Sequence, residues 1–100
     1  MQEILCAHTY WKVKPGREDD FLLTWQGLAD IFSSLANPPL WGTVIQGIKD
    51  PSIFYSIGLW GSHEDIAAMR ADPRVRKILR KARSLCLEIT AANMVADVTA

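Results

Sequence analysis

The chain has 100 residues with 11 basic and 11 acidic side chains, so its formal net charge is zero and no whole-molecule field draws it to nucleic acid or an anionic membrane. Apolar residues make up 49% and charged residues 22%, a globular composition that excludes a disordered chain and suits one domain over residues 1–100. No apolar run approaches the ~20 residues that span a bilayer, and Met1-Gln2-Glu3 lacks the basic and apolar regions of a secretory leader.

Glu3 to Val13 reads as a first strand that ends at Lys14-Pro15-Gly16. Its alternate sets are Leu5, Ala7, Thr9, Trp11, Val13 and Ile4, Cys6, His8, Tyr10, Lys12. The first is apolar enough for a core, and the second is too rich in Ile, Cys and Tyr for a face left in water. Pro15 to Ala36 reads as a helix. Proline is tolerated in a first turn, Glu18, Asp19 and Asp20 suit the positive end of the dipole, and Phe21, Trp25, Leu28, Phe32 and Leu35 recur at spacings of four and three. Asn37-Pro38-Pro39 stops it. Leu40 to Ile48 is a second strand, with Gly42 and Gly47 marking a bulge or a close backbone approach. The turn at Lys49-Asp50-Pro51 leads into an antiparallel partner, Ile53 to Trp60. That strand is apolar on both sides: Ile53, Tyr55, Ile57 and Leu59 on one, Phe54, Ser56, Gly58 and Trp60 on the other.

Ser62 caps a second helical region, with Asp65 three residues on, and Asp72-Pro73 interrupts and restarts it. Val75, Ile78, Leu79, Ala82, Leu85 and Cys86 form its apolar stripe. Arg74, Arg76, Lys77, Arg80, Lys81 and Arg83 fall elsewhere around the helix as a solvated face, with Asp72 and Arg76 spaced for an i,i+4 pair. Leu87 to Ala100 ends as a strand, clearest over Asn93 to Val98, and the change from helix to strand falls between Leu87 and Ala92. The order βαββαβ is the α+β, ferredoxin-like pattern, a four-stranded antiparallel sheet with its helices on one face.

Helices on one side leave the other side of such a sheet bare. Tyr55, Ile57, Leu59 and Ile4 would expose more apolar surface than a monomer ordinarily tolerates. A homodimer that packs sheet on sheet covers it. Which alternate set meets the helices and which meets the partner stays open at this point.

Val13-Lys14-Pro15-Gly16 followed by Phe21, Trp60-Gly61-Ser62 at a strand-to-helix junction, and the helix break at Asp72-Pro73 together resemble the antibiotic biosynthesis monooxygenase domain over nearly the whole chain. The resemblance implies a dimeric α+β barrel made by two facing sheets. It also implies a small oxygenase that oxidises quinols or aromatic polyketides with dioxygen, without metal or flavin. The family's haem-degrading branch has an Asn, a Trp and a His ligand at the places that hold Thr9, Met69 and Leu79 here, so no imidazole is offered to iron. Many other members carry a His in the second helix, where this chain reads Ala67-Ala68-Met69-Arg70.

His8 and His63 are the histidines of the chain, and with Cys6 and Cys86 they form no zinc-binding spacing. The two cysteines read as buried, reduced thiols of a cytoplasmic protein. No phosphate-cradling glycine loop follows a strand, and no RNP-like aromatic pattern marks the sheet, so neither a nucleotide cofactor nor nucleic acid is expected. The candidate catalytic residues are Trp60 and Tyr55 as donors and His8 as base; Tyr10 and Thr9 are further donors. Thr9, Trp11, Trp25, Phe32, Met69 and Leu79 are candidate walls of a pocket for a small apolar or aromatic ligand, or else fillers of the core. The leading expectation is a cofactor-independent monooxygenase. The alternatives are a non-catalytic dimeric binding or assembly module, and an isomerase or lyase that uses His8.

Overall fold

The computed structural model describes residues 4–95, so the expected strand positions Glu3 and Val98 lie outside the described residues. The elements are β1 (Leu5–Val13), α1 (Glu18–Ser33), β2 (Trp41–Gln46), β3 (Ile53–Trp60), α2 (His63–Ala71), α3 (Pro73–Ser84) and β4 (Cys86–Val95). The strands form one antiparallel sheet in the order β2-β3-β1-β4, which is the ferredoxin-like arrangement.

The first helix is shorter than its periodicity predicts. The Arg17 N–H donates to the Lys14 carbonyl at 3.0 Å, and Gly16 has φ +87°. Lys14-Pro15-Gly16-Arg17 is therefore a type II turn, with proline and glycine at the two positions that favour them. Pro15 belongs to that turn and not to the helix. At the other end, the Ser34 and Leu35 N–H groups donate to carbonyls three residues back, at 2.9 and 3.2 Å, and the tightened turn closes α1 before Pro38.

The break between α2 and α3 follows the capping chemistry. Ser62 Oγ accepts from the Asp65 N–H at 3.1 Å, and Asp72 Oδ1 accepts from the Arg74 N–H at 2.8 Å, with Pro73 in the first helical position. The Asp72 carboxylate pairs with the Arg74 guanidinium at 2.9 Å, not with Arg76, because the cap turns the carboxylate toward the second residue of the helix. The Arg74 side chain holds the Asp72 carboxyl below its ordinary range.

The apolar stripe of α3 runs past the helix itself. Leu85 is a buried capping residue and Cys86 already opens β4, ahead of the interval in which the change of structure is expected. Val13 pairs with Cys86 and Lys12 with Glu88, so Leu87 is the extra residue of a register shift and stands 63% exposed. Cys6 and Cys86 are free thiols, half-buried and not buried as expected. Burial pushes the Cys86 thiol up.

Parity along the strands is now fixed. Leu5, Trp11 and Val13 of β1 and Phe54, Ser56 and Trp60 of β3 are buried beneath the helices. Two apolar clusters form there. One contains Leu5, Leu28, Trp60, Ile66, Met69 and Val75; the other contains Trp11, Val13, Phe21, Phe54, Ala82 and Leu85. The opposite face carries Trp41, Leu59, Cys6 and Met94 in one transverse row, then Thr43, Ile57, His8 and Ala92, then Ile45, Tyr55, Tyr10 and Thr90. Trp41, Ile45 and Met94 are about half exposed there.

One ion pair ties the far end of this sheet. Lys12 Nζ lies 2.7 Å from Asp50 Oδ2, and Asp50 Oδ1 accepts from the Ser52 hydroxyl at 2.6 Å and the Ser52 N–H at 3.1 Å. The Lys12 hydrogen bond, then those of Ser52, hold the Asp50 carboxyl down at about 2. A depressed carboxylate contributes stability above its unfolded value of 3.8 and loses that contribution as pH falls toward about 2. Asp50→Asn is therefore expected to flatten the dependence of stability on pH between about 4 and 2, read by denaturant melts across that window. An unchanged slope would refute the assignment.

Candidate active site

The register of the sheet builds a trough on its helix side. Gly42, Gly58, Ala7 and Asn93 lie side by side across β2, β3, β1 and β4, and Val44, Ser56, Thr9 and Ala91 form the next row. Bulky residues close both ends: Phe54, Trp11 and Ile89 in one direction, Trp60, Leu5 and Val95 in the other. With strands about 4.8 Å apart, four of them give a floor about 14 Å across, and the two small rows stand about 7 Å apart along the strands. Gly58 is closely approached by a side chain. A Cβ there would sit 3.0 Å from Trp60 Nε1, because the indole lies over that backbone.

The wall is a chain of aromatic rings. Trp11 meets Trp25 edge-on at 6.1 Å, Trp25 meets Phe32 at 6.5 Å, and Phe32 meets Trp60 at 5.7 Å, with interplanar angles of 80°, 73° and 82°. Trp25 and Phe32 come from the apolar stripe of α1, while Trp11 and Trp60 rise from the sheet. Met69 of α2 and Leu79 of α3 complete the lining. Between floor and wall is a cavity of about 740 Å³, within the range that holds small ligands.

The polar residues of this lining are Thr9, Ser33, Thr43, Ser56 and Asn93, three tryptophans and two arginines. Trp11 Nε1 donates to Ser56 Oγ at 2.9 Å in a buried hydrogen bond, which leaves the Ser56 hydroxyl proton free to donate in turn. Trp25 Nε1 is buried with no hydrogen-bond partner among the described residues, an arrangement that costs free energy. Arg70 and Arg83 are the charged side chains of the lining, and no carboxylate, imidazole or amine accompanies them among the described residues. Arg70 Nη2 donates to Asn93 Oδ1 at 3.2 Å.

The residues anticipated from sequence divide sharply. Trp60, Thr9, Trp11, Trp25, Phe32, Met69 and Leu79 all line the one cavity. His8 and Tyr55 do not. Their rings lie 5.3 Å apart on the opposite face of the sheet, where Tyr10 stands 5.5 Å from Tyr55. The cause is strand parity: Tyr55 and Trp60 are five residues apart on one strand and must point to opposite sides. The proposed base and one proposed donor are therefore separated from Trp60 by the thickness of the sheet. Ser56, Gly58, Arg70 and Arg83 belong to the cavity and were not anticipated. No group of three or more metal-ligating side chains occurs among the described residues. No helix there is long and apolar enough to cross a membrane.

The chain matches no family model and no curated protein. It is similar in fold to several solved structures. A candidate antibiotic biosynthesis monooxygenase from Chloroflexus aurantiacus J-10-fl aligns with a TM-score of 0.81 at 21% identity, covering 97% of this chain and 96% of that one. Another, from Nitrosomonas europaea, gives 0.86 at 12% identity over 97% and 93% of the two chains. SnoaB, a cofactor-independent oxygenase from Streptomyces nogalater, gives 0.85 at 16% identity over 99% and 97%. At these identities the likeness is one of fold, and it agrees with the resemblance carried by the Pro15-Gly16 turn, Trp60-Gly61-Ser62 and the Asp72-Pro73 break. The chain shares the ferredoxin-like α+β fold of these structures over nearly its whole length.

Proposed function

We propose that the protein is a cofactor-independent monooxygenase that oxidises a fused-ring phenol, anthrone or quinol with dioxygen in the helix-side cavity. The observation that carries this reading is the aromatic wall of Trp11, Trp25, Phe32 and Trp60 around a cavity of small-ligand size. In such a reaction the substrate is the reductant. An anthrone methylene becomes a carbonyl, one atom of O₂ goes to carbon, and the other leaves as water with the two methylene hydrogens. The protein's part is to exclude water, hold the ring and stabilise the substrate's oxyanion. The Ser56 hydroxyl, whose oxygen already accepts from Trp11 Nε1, is the donor for that oxyanion. Among the described residues the lining supplies no carboxylate, imidazole or amine as a base, so the substrate enters as the anion it forms in bulk water, and the Ser56 hydroxyl favours that anion. His8, across the sheet, takes no part in this scheme.

The same missing base favours a second reading, a module that binds such a molecule without turning it over. Oxygen uptake decides between them. Anthrones and naphthohydroquinones are expected to consume one O₂ per molecule oxidised, and Ser56→Ala, which removes the hydroxyl, is expected to lower kcat/KM by about tenfold or more. Binding without uptake across the panel supports the module. Unchanged kinetics in Ser56→Ala removes that donor from the scheme.

The working form in this proposal is a homodimer, with the rows of Trp41, Leu59, Ile57, Tyr55 and Ile45 packed on their counterparts. The free cysteines fit a reducing, cytoplasmic setting.

A further inference from the structure

The outer side of the helix layer is its own complement in charge and in shape. We propose that it packs against the helix layer of a second copy, with α1 of each copy laid over α3 of the other. This contact is independent of the ligand reading and uses the side of the molecule opposite the sheet-face dimer.

Charge is the first observation. α1 carries four acidic residues and no basic one, whereas α3 carries six basic residues and no acidic one. The two helices lie side by side and antiparallel. Arg74, at the start of α3, donates to Ser34 Oγ at the end of α1 at 3.1 Å, and Lys14, just ahead of α1, donates to the Ser84 carbonyl at the end of α3 at 2.9 Å. Yet none of the described ion pairs joins them: Asp20 pairs with Arg17, and Arg74 with Asp72. Opposite charges this close and still unpaired are turned outward.

Shape is the second. Asp19, Leu23, Gln26 and Asp30 recur at spacings of four, three and four, so they form one ridge of α1 opposite the buried Phe21, Thr24 and Leu28. All four are exposed, and Leu23 is 65% exposed. Beside the ridge runs a groove between α1 and α3, lined by Ile31, Ile78, Arg74, Lys77, Arg80 and Lys81. The isoleucines are half-buried at its base, and the four cations are exposed. One copy therefore presents an apolar knob between two carboxylates, next to an apolar groove edged with cations. A twofold axis parallel to the helices lays each ridge on the other copy's groove, so both complementary contacts form at once. An acidic peptide or an anionic membrane would use the cations alone and leave the knob without a role. Exposed ion pairs are weak and screened by salt, so this contact is open at micromolar protein in ordinary salt and closes at higher concentration and low salt.

Sedimentation equilibrium of the intact protein is the test. At about 100 µM chain in about 20 mM salt, the weight-average mass is expected to be at least about twice that in about 1 M salt, where the Debye length falls to about 3 Å. Lys77→Glu/Lys81→Glu and Asp19→Lys/Asp30→Lys are each expected to abolish the rise, because like charges then face each other. An equal mixture of the two variants is expected to regain it, one contact in the native sense and one reversed. Leu23→Ser is expected to weaken the association by about tenfold. In Leu59→Glu, which lacks the sheet contact, growth is expected to stop at twice the chain mass. The unaltered protein grows further, because a sheet-face dimer presents a helix layer on each outer side. The changed helix positions are exposed, and a thermal melt confirms that the variants fold. A mass that does not rise at low salt, or a mixture no more associated than its parts, would overturn the proposal. So would a polyglutamate peptide bound by a protein whose mass ignores salt, which assigns the groove to an acidic segment of another protein. A low-salt rise from a high-salt mass of one chain supports this contact and removes the sheet-face dimer instead.

Discussion

Leu59→Glu is expected to convert the protein from a species of twice the 11.2 kDa chain mass into a monomer, read by sedimentation at micromolar concentration. Leu59 sits on the open face between Trp41 and Cys6, in the row that ends at Met94. Its own strand is intermediate in exposure at this position, so the folded monomer tolerates a charge there. An interface does not. Burying an unpaired carboxylate costs several kcal/mol, and two copies meet across a twofold axis, so the cost is incurred twice. The row containing Ile53, Lys12 and Glu88 already carries charges and marks where the apolar surface ends. If the unaltered protein sediments at 11.2 kDa, the sheet-on-sheet dimer is wrong, whatever the variant does.

The second large effect is on stability. Trp60→Ala is expected to lower the free energy of unfolding by about 3–5 kcal/mol, the usual result of deleting a buried indole. Trp60 is 2% exposed and packs in the cluster with Leu5, Leu28, Ile66, Met69 and Val75, while its ring abuts Phe32. Against a total of about 5–15 kcal/mol for a typical domain, that is a large fraction. Urea melts give the value. A loss under ~1 kcal/mol would refute that packing role. Trp60→Phe, which keeps an aromatic ring, is expected to restore most of the loss.

Much of this architecture could be read from the residues, and the failures have definite physical causes. The stripe of α1, the caps at Ser62 and Asp72, and the hairpin at Asp50-Pro51 are local chemistry, and each produced its element. The face assignment was harder because both sides of β3 are apolar, so hydrophobicity alone does not choose between them. A signal was nevertheless present. Phe54, Ser56, Gly58 and Trp60 run large, small, small, large, and Leu5, Ala7, Thr9 and Trp11 do the same on the neighbouring strand. Two strands that give up volume at the same height leave a space that something else must fill. Parity alone also separates Tyr55 from Trp60, and grouping them as partners overlooked it. The start of β4 was hidden for a different reason: Leu85 and Cys86 continue the helical period of α3 after the helix has ended. Arg83 was masked by its basic neighbours on α3, and Arg70 stood alone in Ala67-Ala68-Met69-Arg70, a stretch notable in sequence only for its missing histidine.

The two apolar clusters beneath the helices have a consequence for stability. They lie at opposite ends of the sheet, touching through Trp25 and Leu79, and the small-residue floor lies between them. The interior is therefore assembled from two halves with a gap in the middle. Under the proposed function a bound ring system would supply the missing apolar volume and join the halves, so the guest would become part of the hydrophobic core for as long as it stays. Resistance to unfolding then rises with occupancy, by RT ln(1 + [L]/Kd). A melting curve thus reports ligand binding even when the ligand's chemistry is unknown.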